Sequence, residues 1–72
     1  MSKYLVIIEQ GPTSFGAYVP DLPGCVAAAK SRVEVKRLIQ EAVALHLQDM
    51  RRTGQAIPRP SSASDYVEAD AA

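Results

Sequence analysis

The sequence predicts an α+β domain. It is a three-stranded antiparallel meander with one long helix across one face and a fourth, C-terminal strand, in the order β-β-β-α-β. Three observations predict it. Residues 3–10, Lys-Tyr-Leu-Val-Ile-Ile-Glu-Gln, are dense in the β-branched and aromatic types that favour strands. A Pro23-Gly24 pair stands between two further short segments of strand character. Ser31-Arg32-Val33-Glu34 has the spacing of a capping box and opens a long stretch with helical periodicity.

In the first strand, Tyr4, Val6 and Ile8 point one way and Leu5 and Ile7 the other, so both faces are apolar and both need cover. Gly11 to Ser14 is a run of turn formers. In the second strand Phe15, Ala17 and Val19 share a face and Tyr18 takes the opposite one. The segment Pro20-Asp21-Leu22-Pro23-Gly24 leads into Cys25. Pro23 fixes φ at the first central position of a type II turn, and Gly24 accepts the positive φ required at the second. Residues 25–29 form the third strand.

The helix is expected from the capping box to about Arg52, roughly 30 Å at the standard rise. Val35, Leu38, Ile39, Ala42, Val43, His46 and Met50 make its apolar stripe. Arg51 and Arg52 complement the macrodipole, and Gly54 suits the C-terminal cap. Pro58 and Pro60 enforce extended chain. The fourth strand falls at residues 64–68, with Tyr66 and Val67 on opposite faces, and residues 69–72 are expected to fray. Beside the first strand it would run parallel to it, by a right-handed crossover. All of this reads as a single domain over residues 1–72, with its core at about 3–68.

The chain has 72 residues, and a domain of that size buries only about 60% of its unfolded surface. Such domains usually rely on a staple. One cysteine and one histidine allow neither an intrachain disulfide nor a Cys/His zinc site, so no metal or cofactor is expected. A homodimer or higher homo-oligomer, or another partner protein, is the staple left. One helix cannot hide both faces of the first strand, which points the same way: Leu5 and Ile7 are candidate partner-facing residues. The acidic residues Asp65, Glu68 and Asp70 of the tail are candidates too, for a basic partner.

Catalysis has little support. A Cys25/His46 dyad would need an adjacent base and an orienting third group, and His46 falls on the packed helix stripe. Glu34 and Glu41 are flanked by Lys and Arg and read as a solvated face. The glycines at 11, 16, 24 and 54 are too scattered for a phosphate loop. Lys30, Arg32, Lys36 and Arg37 cluster at the helix start, but eight basic residues balance eight acidic ones, against the basic excess of nonspecific nucleic-acid binders. The apolar run Leu5 to Ile8 is too short for a membrane span or a signal peptide, and a lone free cysteine suits a reducing compartment. A cytoplasmic protein that is not an enzyme is expected.

The first strand, the segment Ala17-Tyr18-Val19-Pro20-Asp21-Leu22-Pro23-Gly24-Cys25-Val26-Ala27, the helix pattern Glu41-Ala42-Val43 to Leu45-His46-Leu47, and Ile57-Pro58 with Pro60-Ser61 closely resemble the N-terminal domain of HicB-like antitoxins. The likeness covers about residues 3–68, and Pro20 to Cys25 is its most specific part. The resemblance implies a partial ribonuclease-H-like or double-stranded-RNA-binding-domain-like α+β fold, without nuclease activity, since no cluster of metal-binding carboxylates is visible. It implies a module that binds a small basic HicA-type toxin, an mRNA-cleaving ribonuclease, and masks its active site in a type II toxin–antitoxin pair. Many members add a DNA-binding domain that represses their operon; this chain is expected to lack one, which leaves DNA binding open. The alternative is a stand-alone homo-oligomeric regulatory or scaffold module with no toxin partner.

Overall fold

The computed structural model describes residues 2–70. Met1, Ala71 and Ala72 lie outside the described residues, and with them half of the end segment expected to fray. The elements are β1 (Ile7–Gln10), β2 (Phe15–Tyr18), β3 (Val26–Ala29) and α1 (Arg32–Arg52). The strands pair antiparallel in chain order, so the α+β meander and its long helix form as the sequence predicts.

The register explains the two faces. Ile8, Ala17 and Ala27 stand opposite one another and pack toward the helix. One residue along each strand, Ile7, Tyr18 and Val26 form a second row on the other face. The core consists of Ala17, Val19, Leu22, Cys25, Val35 and Ile39, all buried. Tyr4, Val6, Ile8 and Phe15 flank it from the sheet, and Ala42, Val43, Leu47 and Met50 from the helix.

β1 and β3 are shorter than their apolar segments, and the turn between β2 and β3 is the reason. The Val19 amide donates to the Cys25 carbonyl in continuation of the β2–β3 register, but the Cys25 amide donates to the Leu22 carbonyl and the Val19 carbonyl accepts the Leu22 amide, so the turns take the other half of that pair and the ladder stops there. Continuing the β1–β2 register, Leu5 would face Pro20, which has no amide to offer. Residues 3–6 therefore continue β1 without ladder bonds and still pack through Tyr4 and Val6.

At the helix start, Ser31 is extended and its hydroxyl accepts the Glu34 amide at 3.1 Å. The end is a Schellman closure. Gly54, at φ 75°, donates to the Arg51 carbonyl, and Gln55 donates to that of Met50. The carbonyl of Asp49 accepts from both the amide and the hydroxyl of Thr53. Beyond Gly54 the chain runs back along the domain without regular structure, and residues 64–68 form no ladder with β1. Tyr66 and Val67 are 98% and 90% exposed, so ordering them as a strand would bury too little apolar surface to offset the lost chain entropy.

Candidate functional site

The segment from Pro20 to Cys25 is two turns in tandem. In the first, the Leu22 amide donates to the Val19 carbonyl at 3.0 Å, with Pro20 at the position that favours proline. In the second, the Cys25 amide donates to the Leu22 carbonyl at 3.0 Å around Pro23 and Gly24, and Gly24 has φ 86°. Leu22, between the turns, points inward and is 1% exposed. This packing gives the segment a structural role whatever else it touches.

Asp21 carries the segment's polar chemistry. Its Oδ2 accepts the amides of Ser61 and Ser62 at 2.9 and 3.1 Å, and its Oδ1 accepts their hydroxyls at 3.1 and 2.7 Å. These bonds lower the Asp21 carboxyl from 3.8 to about 2, the Ser61 amide contributing most. The Tyr4 hydroxyl adds a second tie to the returning chain by donating to the Pro58 carbonyl. No sequence signal joined Asp21 to serines forty positions away, because a carboxylate–serine clamp has no periodicity and no fixed spacing.

Cys25 is buried, and burial pushes its thiol above the ordinary value, which disfavours the nucleophilic thiolate. His46 is half-buried on the helix stripe. Among the described residues, no group of three His, Cys, Asp or Glu side chains could hold a metal ion. Among the same described residues, no helix is long and apolar enough to cross a membrane.

Two surfaces remain. The first is the outer face of the sheet. Leu5 and Ile7 are half-buried there, and Tyr18 and Val26 are 41% and 65% exposed beside Ile7. The second is an open groove of about 700 Å³ on the inner side of β1. It exists because α1 lies mainly over β3 and β2 and leaves the inner side of the edge strand partly uncovered. Its apolar lining includes Tyr4, Val6, Ile8, Ile39 and Val43, and Lys3, Arg32 and Lys36 give it positive charge. The basic cluster at the helix start is thus divided: Arg32 and Lys36 border the groove, whereas Arg37 pairs with Glu41 at 3.0 Å on the exposed face. Asp65, Glu68 and Asp70 are exposed on the tail and join no ion pair among the described residues. Ser64 and Tyr66 nevertheless border a small cleft with Leu5, Val6, Ile7, Ile8 and Arg32, so the tail passes the free edge of β1 beside one end of the groove.

A family model described as HicB_like antitoxin of bacterial toxin-antitoxin system matches residues 4–71. The chain belongs to the HicB-like antitoxin family. Its similarity to a UPF0150 protein of Thermoplasma acidophilum is 31% identity over 68 residues, covering 93% of this chain and 99% of that protein. A UPF0150 protein of Helicobacter pylori is 43% identical over 44 residues, 61% of each chain. An uncharacterized 14.9 kDa protein from the rep-hol intergenic region of Haemophilus phage HP1 is 27% identical over 64 residues, 89% of this chain. This HicB-like chain spans 48% of the phage protein's length.

Proposed function

We propose that this HicB-like chain is an antitoxin module that neutralises a small HicA-type, mRNA-cleaving toxin by direct binding, acting in the cytoplasm where mRNA is found. The observation that carries the reading is the outer sheet face. Ile7, Tyr18 and Val26 align across all three strands opposite the helix, and Leu5 extends the row. An exposed apolar row of this kind is what a binding module offers a protein partner. The antitoxin role needs no turnover, in keeping with the buried, unactivated Cys25.

Co-expression with the cognate toxin tests the reading. The wild-type chain restores growth and co-purifies with the toxin. The double substitution Tyr18→Lys, Val26→Glu leaves the domain folded, because both side chains are exposed, and loses rescue and complex together. A toxin that stays lethal beside the wild-type chain, with no complex formed, defeats the antitoxin reading. A second reading, a homo-oligomeric regulatory or scaffold module without a toxin, is favoured by the charge division between groove and tail; it predicts self-association and no toxin complex.

A further inference from the structure

We propose that the groove between β1 and α1 is a docking site for the C-terminal segment, residues 65–70, of a second copy of this chain, so that two copies exchange tails. The groove and the tail are complementary in charge. Lys3, Arg32 and Lys36 border the groove, and none joins an ion pair among the described residues. Asp65, Glu68 and Asp70 lie within six residues of one another and are equally unpaired among the described residues.

The two are also complementary in apolar surface and in length. Tyr66 and Val67 are almost fully exposed on their own chain, and the groove presents the half-buried Val6 and Ile8 on one wall and Val43 on the other. An extended tail points successive side chains to opposite sides, one for each wall. The helix wall from Arg32 to Val43 is about 16 Å long at the helical rise, and six extended residues reach about 20 Å.

The Asp21 clamp on Ser61 and Ser62 fixes where each tail leaves its own domain, at the open edge of β1, and leaves free only the residues beyond Ser62. A two-fold pair seats both tails and fills both grooves. It also adds apolar burial that a core of six buried residues lacks. The exchange leaves the row of Tyr18 and Val26 on the outer face uncovered, so it stands independently of the antitoxin reading.

Sedimentation of the full 72-residue chain tests it, with the fold of each variant checked by circular dichroism. The wild type is expected to be a dimer at micromolar concentration. Asp65→Lys, Glu68→Lys, Asp70→Lys in one protein weakens the dimer about tenfold or more. Lys3→Glu, Arg32→Glu, Lys36→Glu in another does the same. Mixing the two monomeric variants restores a dimer, because each tail then meets a groove of opposite charge in the other chain. In the wild type, zero-length cross-linking of a mixture of normal and heavy-nitrogen copies joins Lys3 or Lys36 of one isotope to a tail acid of the other. A monomeric wild type, a dimer indifferent to tail reversal, or cross-links confined to single chains (the tail seated in its own groove) would each overturn the proposal.

Discussion

Asp21 shows how one side chain can organise a distant segment. Its four bonds to Ser61 and Ser62 require an ionised carboxylate, since protonation turns one acceptor oxygen into a donor. The folded carboxyl lies near 2, below its unfolded value of 3.8, so the stabilisation is complete above about 3.8 and is lost as pH falls through about 2. The amide resonances of Ser61 and Ser62 are expected to hold steady from neutral pH down to about 4 and to move only near pH 2. Asp21→Ala should release both amides to fast hydrogen exchange at neutral pH while sheet and helix stay folded. Gly24 makes a different demand. Its φ of 86° lies in the left-handed region, and a Cβ there would meet no atom within 4 Å, so the cost of substitution is backbone strain without a clash. Gly24→Ala should lose about 1–2 kcal/mol in chemical denaturation and Gly24→Val more, because β-branched residues resist positive φ most. Unchanged denaturation midpoints in both would contradict the turn. Buried Cys25 should react slowly with a thiol reagent in the folded protein and at the ordinary rate in denaturant.

Among the elements, α1 divides its stabilisation unevenly. Its capping bond from Ser31 is exposed, and Ser31→Ala should cost about 1 kcal/mol. Ile39 is 1% exposed within the core, and its truncation to alanine should cost about 2–5 kcal/mol. Small domains hold about 5–15 kcal/mol in total, so Ser31→Ala is expected to lower the thermal midpoint modestly and Ile39→Ala to lower it several times further. The helix was legible in the sequence because it obeys local rules: the Ser31 cap, the Val35-to-Met50 stripe and Gly54 all act within a few residues of one another. The strands were legible in place and pairing but not in length. Their ends depend on where the Val19 and Cys25 backbone groups are spent, and that is decided by the turn. The strand expected at residues 64–68 rested on alternation alone, and alternation makes a strand only when something covers Tyr66 and Val67.

At the scale of the whole molecule, a net charge of zero conceals a separation: cations at the β1–α1 groove, anions on the tail. The outer apolar face could be anticipated from Leu5 and Ile7, because strand alternation is a local property. The groove could not, since it depends on where α1 settles across the sheet, nearer β3 and β2 than β1. That asymmetry gives self-association a distinctive salt dependence. Three solvent-facing ion pairs per groove contribute about 0.2–1 kcal/mol each, and the Debye length falls from about 10 Å at 0.1 M salt to about 3 Å at 1 M. If exchanged tails hold two copies together, the dimer dissociation constant should rise steadily as sodium chloride is increased across that range. A dimer joined instead through Leu5, Ile7, Tyr18 and Val26 has no charges to screen, and sulfate-type salts would tighten it. Sedimentation in a chloride series and again in a sulfate series therefore separates the two interfaces: weakening in chloride is the mark of the groove, and indifference to chloride with tightening in sulfate is the mark of the outer face.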